Sequence, residues 1–534
     1  MKKILASIVL ISFVLGLSGC NSKKSSPENQ IIKYNLDNEP KSLDPQIAND
    51  YSANILIMNL FEGLVRLDES FNVVPGVAQN WETLNNNTLY IFHLRHDACF
   101  SNKEKTSLTA HDFVFGLKRA LDKNTAAPKA SSLYCIKNAR SINLNGAPAS
   151  TLGVTAIDDY TLSIELEYEN KEFLGTLASP IAMPCNETFF NSVAGQYGLE
   201  PKTVLSNGPF KIKPRYGWEH FKSINLVKNE AYVGETLPIS AGISFTIGED
   251  TSNAAELIKN ETLDACLLPM NQLSTAKNFG FKLTSFKDTV WGITFNLDNP
   301  TISNPNIRKG FIKSINRDYI LNYVPENCTI ANDIVLDNMT VNGQPYRAAA
   351  GHNLYMKQDS SAKAFFDKGI KELDLKSSPN ISIVCLDNPT VKSMVSNLIE
   401  NLNSTLSCYF NMTPVSKGDL ASAIANSNFQ VAVVPIQAEN DSVLDLLGKF
   451  KSDSSKNIAN LKSKEYDNML ASAAANPADS LKYLISAETY LNDNAIFYPL
   501  YNEERYYACS TKVSGIIFHE YTKGIDFLKA KKLK

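Results

Sequence analysis

The sequence lacks the short motifs that usually carry catalytic or nucleotide chemistry. Its 534 residues contain no GxSxG nucleophile elbow, no GxxxxGK phosphate loop, no HExxH zinc pair and no GxGxxG turn. Without a phosphate loop, the chain has no recognisable means of using a nucleoside triphosphate. We therefore expect a protein that is not an enzyme and that needs no cofactor.

Histidine is scarce, and the cysteines are too scattered to suggest a metal site. The chain has six histidines, and His93 and His96, three positions apart in a predicted strand, would point to opposite faces. No two cysteines form a CxxC pair, so structural zinc and thioredoxin-like chemistry lack their signature. We expect no bound metal. The even number of cysteines after Cys20 permits disulfides, with burial as small apolar residues as the alternative; these cysteines are Cys99, Cys135, Cys185, Cys266, Cys328, Cys385, Cys408 and Cys509.

A strong charge of either sign is also missing. The chain has 52 Lys and Arg residues against 55 Asp and Glu residues, which gives a formal net charge of −3. Nucleic-acid binding needs a concentrated basic surface, whereas the basic clusters of this chain lie near its ends, at Lys23, Lys24 and residues 529–534. We expect no nucleic-acid partner.

One predominantly apolar run, residues 4–17, follows Lys2 and Lys3 and leads into Ser18-Gly19-Cys20. The run is too short for a membrane-spanning helix, which needs about 20 apolar residues, but it is typical of a secretory signal peptide. The cysteine at the cleavage site resembles the bacterial lipoprotein signal, in which the thiol is lipidated and becomes the first residue. An ordinary signal peptide with an incidental cysteine is the alternative. We expect residues 1–19 to be the signal and Cys20 to be lipidated. The mature chain would then be exported, lipid-anchored to a cell membrane, and face the periplasm or the cell exterior.

The rest of the chain has the composition of a globular protein. Hydrophobic residues make up 44% and charged residues 20%, and at about 150 residues per domain the length predicts two to four domains. Residues 20–30 are polar and without periodicity, which predicts a flexible tether between the lipid and the folded body.

Strand and helix patterns alternate along the body. Residues 160–168 (YTLSIELEY) have the period-two pattern of a strand, and residues 89–94 predict a more buried strand. Thr109 and Asp112 resemble a capping box that opens a helix. The clearest alternation lies in the range 381–434, which predicts α/β wrapping of a mostly parallel sheet. There we expect strands at 381–386, 406–412 and 429–434, with helices at 391–402 and 419–425.

Eight segments, taken in order, resemble the extracellular solute-binding proteins of the peptide and nickel family (family 5). They are 39–45 (EPKSLDP), 59–65 (NLFEGLV), 74–81 (VPGVAQNW), 90–95 (YIFHLR), 108–115 (LTAHDFVF), 206–211 (SNGPFK), 307–318 (IRKGF through NRD) and 495–500 (AIFYPL). Each segment alone is a weak signal, but the ordered set spans nearly the whole mature chain. The candidate lipidation site agrees with it, since such receptors are commonly lipoproteins.

The resemblance implies an α/β, two-lobed, periplasmic-binding-protein-like fold with discontinuous lobes, two hinge crossings and an extra domain on lobe one. Lobe one would comprise residues 31–58, 185–284 and 499–534, the extra domain residues 59–184, and lobe two residues 285–498. Closure would occur about strands near residues 284–290 and 496–500.

The resemblance also implies a non-enzymatic receptor that captures oligopeptides in the cleft between its lobes. It would deliver them to an inner-membrane ABC permease with separate ATPase subunits, and we expect the receptor itself to be a monomer. Alternatives within the class are a murein-derived peptide, an amino-acid derivative, a nickel chelate or haem. Alternatives outside it are an exported hydrolase and an adhesive or structural lipoprotein.

Two carboxylates are candidates for binding the charged N-terminus of a peptide, which needs a carboxylate partner once it is desolvated. The resemblance places Glu439 at the position of an Asp that follows a lobe-two strand in oligopeptide-binding relatives, and Asp441 lies two residues beyond it. The chain departs from those relatives nearby. Ile436 replaces a Trp, Val433 and Ile424 replace basic residues, and a bridging cysteine pair is replaced by Thr289 and Gln437.

Four further residues are expected to line the cleft. Asn207 and Gly208 suit close approach of a peptide backbone, because glycine has no side chain to obstruct it; an ordinary turn is the alternative. Trp291 follows the predicted lobe crossing, and its flat ring could cover varied side chains. Tyr134 is the fourth candidate, with core packing as its alternative.

Overall fold

The computed structural model describes residues 30–325, 328–342, 344–438, 440–520 and 524–533. Its largest feature is a sheet of 12 strands, ten of which form a continuous path. In spatial order these are Tyr409–Val415, Asn380–Leu386, Val431–Gln437, Lys282–Phe295, Phe497–Cys509, Ala265–Leu267, Ile31–Leu36, Gly242–Ile247, Ser223–Lys228 and Phe210–Ile212. Cys328–Ile330 pairs with Phe497–Cys509, and Trp218–Glu219 pairs with Ser223–Lys228.

Two long antiparallel strands, Lys282–Phe295 and Phe497–Cys509, join the two halves of this sheet. One end of the pair continues through Ala265–Leu267 to Ile31–Leu36, and we call this part the first half. The other end continues through Val431–Gln437 to Asn380–Leu386, the second half. The fold class expected from the sequence, a two-lobed α/β arrangement with two crossings, is confirmed.

The second half contains the predicted α/β alternation. Asn380–Leu386 pairs in parallel with Tyr409–Val415 and with Val431–Gln437. Helices Pro389–Leu406 and Lys417–Ala425 connect these strands. The predicted order of elements in the range 381–434 is therefore confirmed, with the actual bounds displaced by a few residues, as is usual at element ends.

A separate four-stranded antiparallel sheet lies in the first third of the chain. Its spatial order is Ala78–Leu84, Leu89–Leu94, Thr161–Glu165 and Val154–Asp158. Helix Ala110–Leu121 packs near it and begins with the predicted capping box, in which the Thr109 N–H donates to the Asp112 carboxylate at 2.8 Å. The four remaining pairs of short strands are Val65–Leu67 with Val73–Pro75, Thr340–Val341 with Gln344–Pro345, Val513–Ser514 with Lys531–Lys532, and Ile517–Phe518 with Ile525–Asp526.

The helices cover both halves and the four-stranded sheet. The α-helices are Tyr51–Leu60, Ala110–Leu121, Ala139–Asn145, Phe173–Leu177, Glu187–Ser192, Ala254–Lys259, Leu273–Asn278, Pro305–Lys313, Arg317–Ile320, Tyr346–Ala350, Ala362–Glu372, Pro389–Leu406, Lys417–Ala425, Val443–Gly448, Lys464–Ala475 and Ser480–Asp493. The 3₁₀ turns are Ala130–Leu133, Ala149–Thr151, Pro180–Ala182, Pro201–Thr203, Met270–Gln272, Leu321–Tyr323 and Pro477–Asp479. None of the helices in the described ranges is long and apolar enough to cross a membrane.

Buried apolar side chains form separate clusters. The largest draws its buried residues from the range 290–501, and a second, around the four-stranded sheet, from the range 64–205. The first half of the main sheet has a cluster drawn from four stretches, 32–61, residue 183, 210–286 and 507–530, with a small cluster around residues 254–283 beside it. This separation of cores supports the predicted division into lobes, whose residue boundaries stay a prediction.

The cysteines of the described residues are all free thiols. Cys135, Cys185, Cys266, Cys385, Cys408 and Cys509 are buried, and Cys99 and Cys328 are half-buried. Burial as small apolar residues, one of the two alternatives left open by the sequence, therefore describes most of them.

Candidate functional site

The carboxyl ends of parallel strands in the second half meet at one edge of the sheet. Lys417 comes directly after Tyr409–Val415 and Ser416, and Asp441 follows Val431–Gln437. Ligands of open α/β sheets bind outside this edge, where the strands end and the chain turns away. The edge is therefore the place to look for a ligand-binding wall in the second half.

The first half has a matching edge. Ile31–Leu36 runs parallel to Gly242–Ile247, and Asp37 follows its carboxyl end. The Asp37 side chain is exposed to solvent, although part of its carboxyl group has lost hydration. This loss of hydration raises the pKa of the Asp37 carboxyl, while the positive charges of Lys417 and Arg505 act in the opposite direction. Lys417 belongs to the second half, so a charge of the second half acts on a carboxylate of the first.

A direct contact joins the second half to the region of the four-stranded sheet. The Thr340 hydroxyl donates to the Glu172 carboxylate at 2.9 Å, and the Thr340 N–H donates to the Asp441 carbonyl at 3.0 Å. Glu172 lies beside the core of the four-stranded sheet, whereas Asp441 lies at the carboxyl edge of the second half. Asp441 is half-buried, and its contact with a ligand stays a prediction.

The crossing between the halves is marked by a buried ion pair. Arg505 donates through its Nε to Asp288 Oδ1 at 3.1 Å, and a second guanidinium nitrogen donates to the other carboxylate oxygen. Asp288 is 1% exposed and sits in a β-bulge of Lys282–Phe295, between Lys287 and Thr289. The Thr289 hydroxyl also donates to Asp288 Oδ1, at 2.8 Å. This geometry fixes the two long strands against each other at the midpoint of the crossing.

The register also locates the crossing in the second long strand. Lys287 lies opposite Glu504, and Thr289 lies opposite Glu503. The crossing point of that strand is thus at residues 503–504, three residues after the range 496–500 expected from the sequence. Phe497 and Tyr501 instead pack in the large apolar cluster of the second half, which explains why this stretch belongs to the body of that half.

Two hydrogen-bonded tyrosines lie in the first half near Arg505. The hydroxyl groups of Tyr51 and Tyr507 share a hydrogen bond of 2.8 Å. Tyr51 is the first residue of helix Tyr51–Leu60 and is half-buried. Burial raises the pKa of both phenols, so they stay protonated at neutral pH and act as neutral hydrogen-bonding groups near Asp37.

Trp291, predicted to line the cleft, lies in the second-half part of Lys282–Phe295 and is 9% exposed. Its indole N–H donates to the Glu503 carboxylate at 2.6 Å. Its ring stacks on Tyr501, with centroids 5.9 Å apart. The hydrogen bond and the stacking fix the orientation of the ring, and its contact with a ligand stays a prediction.

Asn207 and Gly208 lie at the junction between the first half and the four-stranded region. The Asn207 side chain donates to the Glu62 carbonyl at 2.8 Å and accepts from the Glu62 N–H at 3.2 Å. A Cβ on Gly208 would come within 2.7 Å of backbone atoms of Leu60 and Phe61. The expected close approach of another backbone at Gly208 therefore occurs, and the approaching backbone is the chain's own. A further role in ligand binding stays a prediction.

Tyr134 packs beside the core of the four-stranded sheet. It is half-buried, and its hydroxyl donates to the Asn143 side chain at 2.7 Å. Burial raises the pKa of the Tyr134 phenol. Packing, the alternative left open by the sequence, accounts for its position, and ligand contact stays a prediction. Glu439 and Cys20, which the sequence analysis also predicted as functional residues, lie outside the described residues.

Three of the departures from oligopeptide-binding relatives, Val433, Ile436 and Gln437, lie on strand Val431–Gln437. Ile424 lies in helix Lys417–Ala425 and packs against the large apolar cluster. Val433 and Ile436 are buried in the large apolar cluster. Thr289 and Gln437 lie directly opposite each other in the antiparallel ladder, which is the geometry that the resemblance implied for the replaced cysteine pair. Val433, Ile436 and Ile424 therefore all contribute to packing of the second half.

The described residues contain no group of three His, Cys, Asp or Glu side chains able to hold a metal ion. His93 lies 3.2 Å from the Glu82 carboxylate, whereas the ring of His96 stacks on Tyr160 with centroids 4.1 Å apart. The two histidines thus have different partners. The structure offers no support for metal chemistry at this pair.

Four charged residues of the cleft were not identified from the sequence: Asp37, Asp288, Lys417 and Arg505. Asp37 had a usable signal, because an acidic residue directly after a strand marks a carboxyl edge. Its strand, Ile31–Leu36, was not among those predicted. Asp288 and Arg505 are paired across 217 positions in the chain, and such a pairing has no local signature.

The comparison with known proteins agrees with this geometry. Residues 72–458 match the model of the bacterial extracellular solute-binding proteins, family 5. The dipeptide-binding protein DppE of Bacillus subtilis is 25% identical over 511 residues, covering 94% of this chain and 92% of DppE. The oligopeptide-binding protein OppA of the same organism is 27% identical over 405 residues, covering 72% of this chain and 71% of OppA.

Solved structures show the same fold. The peptide-bound OppA of Listeria monocytogenes matches with a TM-score of 0.77 at 21% identity, covering 95% of this chain and 99% of that one. Proteins of this family bind solutes outside the cell, so this chain is an exported binding protein. With the family match spanning most of its length, the chain belongs to family 5 of the bacterial extracellular solute-binding proteins.

Proposed function

We propose that this protein captures oligopeptides between the two halves of its main sheet and delivers them to an ABC permease whose ATPase subunits are separate chains. The observation that carries the proposal is the division of the main sheet into two halves joined by two long strands, in a chain that belongs to family 5 of the solute-binding proteins. Asp37 follows a strand of one half, and Lys417 follows a strand of the other. Two relatives support the choice of solute. One is named as a dipeptide-binding protein and matches nearly the full length of this chain, and the other is named as an oligopeptide-binding protein and matches most of its length.

The charges at the two edges suit a ligand with a free amino end and a free carboxyl end. Asp37 offers a carboxylate from the first half, and Asp441, with Glu439 beside it in sequence, adds acidic groups from the second. Lys417 offers an ammonium group. Closing the walls over a zwitterionic peptide removes water from both of its ends, and each end then needs a charge of opposite sign.

Variable side chains need a different solution. The backbone of a peptide has a fixed set of donors and acceptors, which a receptor can bind in strand-like fashion, while wet pockets accommodate side chains of different size. The ring of Trp291, which Glu503 and Tyr501 hold in place, is the proposed flat surface against which side chains of different size can pack. Ligand binding would then bias a hinge closure about residues 287–289 and 503–504.

The proposal includes attachment to a membrane through lipid on Cys20. The short apolar run that ends in Leu17-Ser18-Gly19-Cys20 supports it. A tether of residues 21–29 would leave the folded body within reach of a permease in that membrane or of the space beside it.

Titration calorimetry on protein freed of bound solute by unfolding and refolding tests the proposed solute. Free peptides of two to nine residues should bind, and the same peptides with an acetylated amino end and an amidated carboxyl end should bind much more weakly. Single amino acids, a nickel chelate and haem serve as the comparison set. Binding of haem or the nickel chelate with no binding of any free peptide would refute the proposal.

A further inference from the structure

Two large aromatic side chains project into solvent from one loop. Tyr216 is 80% exposed and Phe221 is 81% exposed, whereas the next large apolar side chain in the described ranges, Tyr409, is 63% exposed. Both lie in residues 213–222, between strands Phe210–Ile212 and Ser223–Lys228 at the outer edge of the main sheet. We call this segment the edge loop. Burying these two rings on a partner would remove an unusual amount of apolar surface from water.

The backbone of the edge loop is strained at both exposed aromatic residues. Tyr216 has φ of 54° and Phe221 has φ of 58°, a left-handed conformation that is unfavourable for bulky residues. Strain of this kind persists where the surrounding structure enforces it, and it is concentrated at functional sites. Neither ring gains burial within the chain in return.

One carboxylate fixes the shape of the loop tip. Glu39 accepts a hydrogen bond from the Trp218 indole N–H at 2.7 Å and from the Phe221 backbone N–H at 3.0 Å. The His220 ring lies 2.7 Å from the same carboxylate. Trp218 is buried and joins the core of the first half. The exposed rings are therefore carried on a rigid support and are not part of a loose loop.

Positive charges flank the two rings. Lys213, Arg215 and Lys222 are exposed, and Lys222 pairs with Glu219 at 2.8 Å. Within the described residues, neither the Lys213 nor the Arg215 side chain forms an ion pair. The body as a whole is weakly acidic, at a formal net charge of −3, so the cationic character of this loop is local.

The edge loop lies at the cleft end of the first half. Ser223 pairs with Thr246, and Leu36 pairs with Ile247, so the loop is beside the carboxyl end of Ile31–Leu36 that leads to Asp37. Gln30 precedes the opposite end of that strand, six residues or about 20 Å away. The nine residues 21–29 can extend about 30 Å, so a chain anchored at Cys20 could still place the edge loop on the same membrane.

We propose that the edge loop is a membrane-contact site, at which Tyr216 and Phe221 enter the headgroup region of an anionic phospholipid surface while Lys213, Arg215 and Lys222 lie over its phosphates. Aromatic side chains favour the bilayer interface, and lysine and arginine near an anionic surface add attraction that salt screens. A protein partner would equally bury the rings, but the unpaired cations beside them match a continuous anionic surface. Such contact would turn the cleft toward the membrane that holds a permease.

Vesicle sedimentation tests this site on the chain from residue 21 onward, which keeps every described residue and removes the candidate lipid anchor. The probes are vesicles of phosphatidylcholine with 30% phosphatidylglycerol and vesicles of phosphatidylcholine alone. The two test variants are Tyr216→Ser/Phe221→Ser and Lys213→Gln/Arg215→Gln. Their matched controls are Tyr409→Ser/Ile330→Ser, which removes exposed apolar groups elsewhere, and Lys103→Gln/Lys105→Gln, which removes the same charge elsewhere. Circular dichroism establishes that each variant is folded.

The wild type should bind the anionic vesicles about tenfold more strongly than the neutral ones, and 0.5 M NaCl should abolish the difference. Each test variant should lose about tenfold in binding to anionic vesicles, and each control should match the wild type. Equal binding by wild type and test variants would overturn the proposal. The proposal would also be overturned if the wild type bound neither kind of vesicle while the test variants impaired solute uptake in cells. That result would assign the loop to a protein partner.

Discussion

The ion pair between Asp288 and Arg505 offers a quantitative test of the hinge. Asp288 is fully buried, and Arg505 is largely so, with 14% of its side chain exposed. Replacing Asp288 with Asn keeps the shape of the side chain but removes the negative charge that accepts two hydrogen bonds from the guanidinium. Removing one member of such a pair typically costs about 3–5 kcal/mol of folding free energy, because the remaining charge is still desolvated.

The double variant should behave differently from the sum of its parts. In Asp288→Asn/Arg505→Met both charges are removed, so no unpaired ion is left in the crossing. We expect each single variant to lose about 3 kcal/mol or more and the double variant to lose much less than the sum, with a coupling of at least about 2 kcal/mol. The comparison pair is Lys462 with Asp298, 2.7 Å apart and exposed, whose disruption should change stability little because solvent screens it.

Urea unfolding followed by circular dichroism measures the stability of the wild type, the two single variants and the double variant, which together form a double-mutant cycle. The slope of each transition establishes whether the variants unfold from the same folded state. Strictly additive losses, or a coupling no larger than that of the exposed Lys462–Asp298 pair, would refute the reasoning. The hinge would then have to be fixed by the surrounding backbone ladder alone.

Three further predictions concern the ligand, the anchor and the thiols. Glu439→Gln should weaken the binding of peptides with a free amino end by about two to three decades, since an unpaired buried charge costs about 3–5 kcal/mol. The same substitution should barely change the binding of acetylated peptides. Equal losses of affinity for the two kinds of peptide in calorimetry would contradict the prediction, and Asp441 would then be the next residue to substitute. Radiolabelled lipid should label the wild type and not Cys20→Ala, and equal labelling would rule out that anchor. Burial raises the pKa of Cys266 and of Cys328 to about 12, and it raises the pKa of the other described cysteines too. A maleimide at pH 7.5 should therefore react slowly with the native protein. After unfolding, it should label eight thiols per lipid-anchored chain. Fast native reaction, or fewer than eight thiols after unfolding, would argue against buried free cysteines.

The sequence predicted local elements well because their signals are local. The capping box at Thr109 and Asp112 opens the helix where expected, and the alternation in the range 381–434 became a parallel sheet with two connecting helices. In each case the periodicity of apolar residues and the end signals lie within one element. Such signals do not depend on distant parts of the chain.

The pairing of distant segments was beyond the reach of those signals. Ser285 and Glu504, which share a hydrogen bond across the long strands, are 219 residues apart. Only the family resemblance indicated that the chain crosses between lobes twice, and the hinge ranges it implied stay a prediction. Apolar residues such as Phe497 and Tyr501 look the same in sequence whether they belong to a hinge or to a core.

The candidate site was predicted in part. Gly208 was identified as a place of close backbone approach, but sequence could not say that the approaching backbone is that of Leu60 and Phe61. Lys417 escaped notice because a single charged residue carries no pattern, and Asp37 because its strand, Ile31–Leu36, was not predicted. The carboxyl-edge rule gives both residues a meaning once the sheet order is known.

The central claim is that this protein holds peptides, and the molecules that accompany it through purification test that claim most directly. Mass spectrometry of the native protein from its own cells, followed by analysis of what unfolding releases, identifies them. We expect a mixture of peptides with free ends, displaced by added synthetic peptide. A haem, a nickel chelate or another non-peptide solute bound in proportion to the protein and unaffected by added peptide would contradict the account.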